Sequence, residues 1–345
     1  MRTLHLIDKQ TPFDMLQQLR LLVRDCDIVM AVGDSDCPPN GTKYIKKLFP
    51  AGRTAKLIAQ AAPENAIFHV WSYSLLELAA HAAELCGAKV LLSLPALPLE
   101  KKPQKYLPWD LGRFRAGLTL PTHTARQTLV EMHADPKHIF VLPPAAEIIS
   151  DRLERRTRMR ASLGISSATA VLATAGPLYR MGPQKMAAWA LGILRNVMSD
   201  LKLIYPGKGP DEKNIRRFAA TTGYIHDIFY TGERFDYIDA MCAADVVLCC
   251  NQQDVGINGA AAALAASCAT IVSDTPDLQD FCADKKDAVL TCRAGDPAAV
   301  ASEILKLLDD EQLRDTLSQR AANTMHGNSP DAVRGTLENI YAGLK

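Results

Sequence analysis

Two glycines and two basic residues follow a strand-like apolar run in the second half of the chain. The segment GPLYRMGPQK contains Gly176, Arg180, Gly182 and Lys185 where a predicted strand gives way to a predicted helix. Cationic side chains, backbone N–H groups and a helix amino terminus are the groups that bind a phosphate or a diphosphate. We therefore expect Arg180 and Lys185 to be phosphate ligands. A capped surface turn is the alternative interpretation.

A second pair of candidate residues lies in the first half of the chain. His69 and Trp71 end the predicted strand Ala66–Trp71, and open α/β sheets bind their ligands outside the carboxyl ends of the strands. His69 is therefore a candidate catalytic residue that orients an acceptor or donates to a phosphate. Because it stands between Phe68 and Val70, it can equally be a core side chain with satisfied hydrogen bonds, and both interpretations stay open.

The elements that must position these residues follow from the hydrophobic pattern. Short apolar runs rich in branched residues alternate with stretches of helical period, which predicts an α/β fold with parallel sheets. Six strands are predicted in each half, which indicates two doubly wound units. They are Thr3–Ile7, Asp27–Val32, Ala66–Trp71, Ala88–Leu94, Ala116–Leu120 and His138–Leu142, then Ala170–Ala175, Leu201–Tyr205, Tyr224–Tyr230, Asp245–Cys250, Thr270–Ser273 and Ala288–Cys292. The helices predicted between them include Phe13–Val23, Ser74–Cys86, Gln184–Met198, Asp211–Thr221 and Gly259–Ala266.

Prolines and charges mark the boundary between the two units. Pro143 and Pro144 follow a strand and precede the charged run DRLERRTRMR, so we place the boundary at residues 150/151. The run contains acids as well as bases, which is typical of a solvated helix. The proline-rich stretch Ser93–Trp109 predicts a long irregular connection, either functional or a plain surface loop. A final helix is predicted at Ala332–Gly343.

Composition and charge exclude several classes of protein. The 345 residues contain 39 Lys and Arg against 38 Asp and Glu, so nothing favours a general nucleic-acid binder. No apolar run reaches the roughly 20 residues of a membrane span, and the amino terminus is not that of a signal peptide. We expect a cytoplasmic protein, possible also at the membrane periphery. The nine scattered cysteines indicate reduced core residues, and no pattern of metal ligands is present.

The order of motifs from Val171 to Arg320 resembles the carboxyl-terminal domain of retaining nucleotide-sugar glycosyltransferases of family four. The matching segments include LKLIYPGKGPDEKNIRRFA, IFYTGERFDYIDAMCAADVVLCC and DVGINGAAAALAASCATIVSDTPDLQDF. The resemblance implies the GT-B fold, two Rossmann-like doubly wound domains that face one another. Residues 1–150 would form the acceptor-side domain and residues 151–328 the nucleotide-sugar domain. Residues 329–345 would form a helix that returns to the amino-terminal domain.

The same resemblance implies roles for particular residues. Gly207 and Gly209 match the family's glycine-rich turn beside the nucleotide, with a plain turn as the alternative. Two acidic residues eight positions apart normally bind the sugar and the ribose. Asp254 matches the first of them, but Ala262 stands at the second. The residues between them that match the glycine-rich approach, with backbone N–H groups directed at the sugar and phosphate, are Gly256, Ile257 and Asn258.

The function implied by the resemblance is transfer of a sugar from a nucleotide-sugar donor to an unidentified acceptor, with retention of anomeric configuration. The acceptor can be a glycan, a lipid or a small molecule. No cofactor or metal is expected, and no nucleic acid. Because the second carboxylate is absent at Ala262, a catalytically silent GT-B protein that binds a sugar or a partner is the alternative. A nicotinamide-dependent dehydrogenase is excluded, since no GxGxxG follows a strand.

Overall fold

The computed structural model describes residues 2–33, 39–98, 100–176, 178, 181–221, 223–232 and 237–344. The chain divides into two compact units. The first comprises residues 1–143 together with 330–345, and the second comprises residues 144–329. The division thus falls between the two adjacent prolines, a few residues before the predicted boundary.

A parallel sheet of seven strands forms the centre of the first unit. Its order is β3-β2-β1-β4-β5-β6-β7, and every described pairing is parallel. All five residues of the first strand are buried, as expected for a sheet covered on both faces. The strands are β1 (Thr3–Ile7), β2 (Ile28–Val32), β3 (Lys43–Ile45), β4 (Ile67–Val70), β5 (Lys89–Ser93), β6 (Gly117–Leu120) and β7 (Ile139–Val141). The edge strand β3 was not predicted, because none of its residues is buried and no apolar run marks it.

The helices of the first unit include two that sequence reasoning missed. They are α1 (Phe13–Leu22), α2 (Ala51–Ala61), α3 (Leu76–Cys86), α4 (Lys101–Phe114), α5 (His123–Glu131) and, from the end of the chain, α14 (Pro330–Gly343). The prediction of a long irregular connection at Ser93–Trp109 was wrong over α4. Pro103 lies in the first turn, where its missing N–H costs little. Leu107 and Leu111 bury the inner face, and this packing outweighs the hydrogen bond lost at Pro108.

The last helix, α14, packs on the first unit. Glu338 forms an ion pair of 2.9 Å with Arg24, which follows α1. Arg334 Nη2 donates to the carbonyl of Leu21, also at 2.9 Å. Leu337 is buried, and Tyr341 reaches a buried histidine of β4. Polar contacts along the middle of α14 and the contact of Tyr341 near its end therefore hold this helix on the first unit.

The second unit repeats the same winding with six strands. Its order is β10-β9-β8-β11-β12-β13, again with parallel pairings throughout the described strands. The chain winds outward from β8 in one direction and from β11 in the other. The strands are β8 (Ala170–Thr174), β9 (Leu201–Pro206), β10 (Ile228–Gly232), β11 (Val246–Cys249), β12 (Thr270–Ser273) and β13 (Val289–Cys292). All six correspond to predicted strands.

Eight helices are described in the second unit. They are α6 (Arg152–Ser162), α7 (Gln184–Leu194), α8 (Glu212–Thr221), α9 (Tyr237–Cys242), α10 (Ile257–Ala265), α11 (Pro276–Phe281), α12 (Pro297–Asp309) and α13 (Glu311–Asn323). The alanine-rich α10 is buried at every residue except Ala262. None of the described helices is both long and apolar enough to cross a membrane.

The charged run at α6 is a helix with mostly exposed or partly exposed residues, as predicted, but two of its arginines are bound to the core of the unit. Arg156 and Arg160 both bind the carboxylate of Asp245, at 2.6 and 2.9 Å. The Arg160 side chain is buried and also donates to the carbonyl of Ala243. Asp245 in turn accepts from the backbone N–H of Val171 at 2.8 Å. One carboxylate therefore joins α6 to the starts of β8 and β11.

Removal of this carboxylate should destabilise the second unit. Asp245→Ala leaves the buried Arg160 guanidinium without its counter-ion, and we expect a loss of about 3 kcal/mol in the free energy of unfolding. Asp239→Ala is the matched control, because Asp239 pairs with the more exposed Arg155 and Arg158 and should cost no more than about 1 kcal/mol. Urea unfolding of both variants measures the difference. Equal losses would contradict the role of Asp245.

Candidate functional site

The strands β8 and β11 form the switch point of the second sheet. They are neighbours, yet the chain leaves them in opposite directions, and doubly wound sheets bind ligands at this place outside the carboxyl ends of the strands. Two loops leave the sheet here, one after β8 at Gly176 and one after β11 at residues 250–256. The N–H of Gln252 donates to the carbonyl of Met181 at 3.0 Å, which ties the second loop to the segment before α7. The loops that carry the described members of the predicted donor residues therefore lie at one edge of one sheet.

The amino terminus of α10 lies directly against the end of β8. A Cβ added to Gly259 would lie 2.9 Å from the carbonyl carbon of Ala175 and from the nitrogen of Gly176. Only glycine permits this approach, since real Cβ contacts are longer. Gly256 precedes the helix with φ +84° and, as a glycine, brings no side chain of its own to the helix start. The amino terminus of α10, which begins at Ile257, therefore lies at the carboxyl edge of the sheet, where the helix dipole favours an anion.

Asn251 holds the loop in front of α10, and sequence reasoning missed it. Its side chain is fully buried, and its Nδ2 donates to the carbonyl of Val255 at 2.6 Å. Its Oδ1 has no hydrogen-bond partner among the described residues. A Cβ on Gly256 would lie only 2.6 Å from the same amide. The sequence did contain a signal for this residue. It is an asparagine that stands two residues after a buried apolar strand, in the loop that leaves the switch point.

The turn after β8 differs from the expected phosphate turn. Gly176 adopts φ +111° as a turn requires, but its N–H donates to the hydroxyl of Tyr237 in a short hydrogen bond. Its carbonyl accepts from Gln184 Nε2 at 3.3 Å. The N–H that we expected to bind a phosphate is thus already engaged. Arg180 lies outside the described residues, so its predicted role as a phosphate ligand stays a prediction.

The predicted basic ligand Lys185 lies in the first turn of α7. Its side chain is partly exposed, and its Nζ lies 5.8 Å from the centre of the Phe218 ring on α8. The contact between a cation and an aromatic ring is favourable but weak at a partly exposed position. The Lys185 ammonium can therefore leave the Phe218 ring to bind an anion. The role of Lys185 in phosphate binding stays a prediction.

The glycine turn after β9 packs against the loop after β8. Gly207 has φ +73°, and a Cβ on Gly209 would lie 2.4 Å from the carbonyl oxygen of Leu178. Leu178 exchanges backbone hydrogen bonds with this turn, donating to Lys208 and accepting from Asp211. The structure therefore brings Gly207 and Gly209 beside the switch point, as their predicted place next to the nucleotide requires. A role in binding is not tested by this packing.

The two positions of the expected acidic pair have different surroundings. Asp254 is partly exposed, and its Oδ1 accepts from the N–H of Asp277 at 2.8 Å, in the first turn of α11. One of its oxygens thus caps a neighbouring helix. Ala262 is the only residue of α10 that is not buried. The position predicted to lack a ribose ligand is therefore accessible in this unit.

His69 lies in the core of the first unit. Its two ring nitrogens are 2.6 Å from the hydroxyls of Tyr341 and Ser93, and its ring stacks on Trp71. The side chain has no exposed surface. Of the two interpretations, this geometry matches the satisfied core histidine. It argues against His69 as a catalytic residue, because no substrate can reach a ring that is enclosed on all sides.

A second histidine, His5, completes this buried cluster. Its register in β1 places it beside His69 in β4, and its Nδ1 accepts from the indole N–H of Trp71 at 3.0 Å. An accepting nitrogen carries no proton, so His5 is neutral, with its other nitrogen 3.5 Å from Asp27. Burial lowers the pKa of His5 and lowers the pKa of His69 well below its usual value. In the folded first unit, His5 and His69 therefore bind protons less readily than they do in the unfolded chain.

The first sheet has its own switch point between β1 and β4. Asp8 follows β1, and its Oδ2 accepts from the hydroxyl of Ser74 at 2.7 Å. Ser72 follows β4 and lies 2.7 Å from the same hydroxyl. The sequence analysis did not single out this polar group. Asp8 and Ser72 each stand directly beyond a buried strand, and this position was the signal available in the sequence.

Part of the second unit matches a known family of proteins. Residues 169–310 match the family model Glycosyl transferases group 1. No curated protein sequence matches the chain.

Solved glycosyltransferase structures share the fold at low sequence identity. HepE from Anabaena in complex with UDP-glucose superposes with a TM-score of 0.84 at 13% identity over 99% of both chains. A glycosyltransferase from Rickettsia africae has a TM-score of 0.74 at 15% identity, over 99% of this chain and 98% of that one. Sucrose-phosphate synthase from Thermosynechococcus elongatus has a TM-score of 0.73 at 14% identity, over 100% and 99%. These matches confirm the predicted GT-B fold.

Replacement of Gly256 should disturb the start of α10. Gly256→Ala places a side chain at positive φ, which costs about 1 kcal/mol, and also collides with Asn251. Gly295→Ala is the matched control, because Gly295 has a similar φ of +74° with nothing within 4 Å. We expect a larger loss of unfolding free energy at Gly256 by urea titration. Introducing Asn251→Ala should remove the excess. Equal losses at the two glycines would show that the loop adapts freely.

Acid should destabilise the first unit through its buried histidines. The unfolded chain binds protons below about pH 6.5 and the folded cluster does not, so stability is present above that pH and falls below it. Each histidine contributes up to about 1.4 kcal/mol per pH unit. His69→Gln should show a smaller fall in melting temperature between pH 7.5 and 5 than the wild type, by calorimetry. His123→Gln, an exposed control, should not. A pH dependence unchanged by His69→Gln would contradict this assignment.

Proposed function

We propose that this chain, which has the GT-B fold and matches the group 1 glycosyltransferases in its second unit, transfers a sugar from a nucleotide-sugar donor to an acceptor. The transfer would retain the anomeric configuration. The donor would bind at the switch point of the second sheet, outside β8 and β11. A UDP-sugar is the first donor to test, because the HepE structures of this fold hold UDP and UDP-glucose. The acceptor is not assigned.

One observation carries the proposal: the amino terminus of α10 lies against the end of β8, at the switch point of the second sheet. An oriented helix terminus favours a negative charge near its first N–H groups. The donor diphosphate would therefore take its place before Ile257 and Asn258. Gly256 keeps this approach free of side chains, since it has no Cβ. The glycine turn at Gly207 and Gly209 would border the nucleotide.

The proposed chemistry uses binding and charge stabilisation by this chain's own groups. Departure of the nucleoside diphosphate develops negative charge on its leaving oxygen, and the dipole of α10 opposes that charge. Lys185 and Arg180 would supply cations beside it. Asp254 would bind the sugar through the carboxylate oxygen that does not cap α11. The proposed reaction uses no metal and no cofactor. We also propose that the protein is cytoplasmic.

The ribose position should be weak, and a carboxylate should strengthen it. A charge-assisted hydrogen bond to the ribose hydroxyls is worth roughly 1.5–3 kcal/mol, so Ala262→Glu should tighten UDP binding by about tenfold to a hundredfold. Ala262→Gln is the matched control, because it has the same length without the charge. Titration calorimetry with UDP and with its 2′,3′-dideoxy analogue measures both effects. The gain should be smaller for the analogue.

Two results would count against the proposal. If Ala262→Glu stays folded and its UDP affinity equals that of the wild type, the face of α10 at Ala262 does not bind the ribose. If the wild type binds UDP but never releases UDP from any UDP-sugar in a panel, with or without sugar acceptors, the chain is a silent GT-B protein. UDP release in a coupled assay separates these outcomes from simple weak binding.

A further inference from the structure

The helix α7 of the second unit carries a row of exposed apolar side chains. Trp189 is 48% exposed, Ile193 is 42% exposed and Val197 is 70% exposed. The three residues, called here the α7 stripe, stand four positions apart and therefore lie on one face of the helix. Val197 follows the last residue of α7, but the helical turns continue, since the N–H of Met198 donates to the carbonyl of Leu194 at 2.8 Å.

Aromatic side chains extend the α7 stripe toward α8. The Trp189 ring packs edge-on against the Phe218 ring, with the ring centres 5.5 Å apart. Tyr224 lies beside Gly192, where an added Cβ would be 3.5 Å from the Tyr224 ring. The Arg195 guanidinium lies 5.8 Å from the centre of the same ring. These contacts hold the aromatic side chains in place, so a partner that covers them orders few additional groups.

The size of this surface is that of the centre of a small protein interface. The exposed half of the Trp189 side chain alone leaves about 100 Å² in water. A contiguous apolar patch with polar neighbours marks an interaction site more often than a chance exposure. A standard interface buries about 800 Å² on each partner. The α7 stripe would supply the apolar centre of such an interface, and the flanking helices α8 and α12 would supply its polar rim.

The residues along this face are arranged symmetrically about Ile193. Trp189 precedes Ile193 by four positions, and Val197 follows it by four. Farther out, Lys185 precedes Ile193 by eight positions and the exposed Asp200 follows it by seven. Two antiparallel copies related by a two-fold axis at Ile193 therefore bring apolar residues together and place unlike charges near one another. Such self-complementarity is the requirement of a two-fold interface.

We propose that the α7 stripe is the centre of a two-fold interface between two copies of this chain. Ile193 packs against Ile193 of the second copy, and Trp189 packs against Val197 of the second copy. Ridges of residues four positions apart are the surfaces through which helices pack against one another. The net charge of +1 opposes the approach of two copies only weakly. The proposal does not depend on sugar transfer, because none of the three residues of the stripe belongs to the proposed donor site.

Sedimentation velocity of the full chain at increasing concentration tests this proposal. We expect a mass twice that of one chain at about 100 μM, since a small interface gives a dissociation constant in the micromolar range. Ile193→Glu places two carboxylates against each other at the axis and should weaken the dimer at least about a hundredfold. Trp189→Ser should weaken it about thirtyfold or more. Val197→Glu, at the most exposed of the three positions, is the second charge variant should Ile193→Glu fail to fold.

The matched control is Leu153→Glu, which adds the same charge at a leucine that is 76% exposed on α6. The helix α6 packs with α9 on the opposite face of the second sheet from α7. The control should form dimers like the wild type. A wild type that stays monomeric at every concentration, or an equal loss in Leu153→Glu and Ile193→Glu, would overturn the proposal. Assemblies that keep growing with concentration would also overturn it, because they indicate a head-to-tail contact.

A cysteine at the axis tests the two-fold symmetry itself. In Ile193→Cys dimers the two new thiols face each other, and oxidised glutathione should convert them to a disulfide with release of two molecules of reduced glutathione. A non-reducing gel measures the linked dimer. The wild type and Leu153→Cys contain the same native cysteines and measure the background. If Ile193→Cys forms dimers but is linked no more than these two controls, the axis does not pass through Ile193 and the proposed interface is wrong.

Discussion

The arrangement of the second unit depends on how closely α10 approaches the end of β8. The approach is possible because Gly259 has no side chain and because five of the other eight residues of the helix are alanine, so its backbone reaches the sheet. Small residues remove side-chain volume from the contact and leave few conformations to lose on burial. The helix terminus is thereby fixed beside the turn at Gly176. Everything proposed for the donor follows from that position.

The same closeness explains why the site differs from a simple phosphate loop. The Gly176 N–H is engaged by Tyr237, and Asp254 shares its carboxylate with α11. These contacts support the loops around α10 and leave fewer groups for a ligand. Among the described groups, the terminus of α10 lies next to these loops, with Gly256 before it and accessible Ala262 on its surface. Affinity for a donor would then come from the helix terminus more than from individual side chains.

The first unit is organised by a different constraint, a buried polar cluster beneath its last helix. His5, His69 and Trp71 fill the space between β1, β4 and α14, and hydroxyls satisfy both nitrogens of His69. Unpaired polar groups in such a place would be costly, so each partner constrains the next. Arg24 and Glu338 add an ion pair in the second half of α14. The cluster faces the interior, while the polar group at Asp8 lies at the carboxyl edge of the sheet.

The sequence by itself determined the α/β class, all six strands of the second sheet, six of the seven in the first, and the location of the glycine-rich loops. These features are local, because periodicity and turn residues report on neighbours along the chain. Tertiary structure alone decided the rest. His69 lost its catalytic assignment because Tyr341, 272 residues away, covers it. The helix α4 forms despite its prolines because Leu107 packs into the core. Arg160 is buried because Asp245 forms an ion pair with it. Burial and ion pairing depend on partners that are distant in the sequence, and a local sequence pattern contains no information about which residues these partners are.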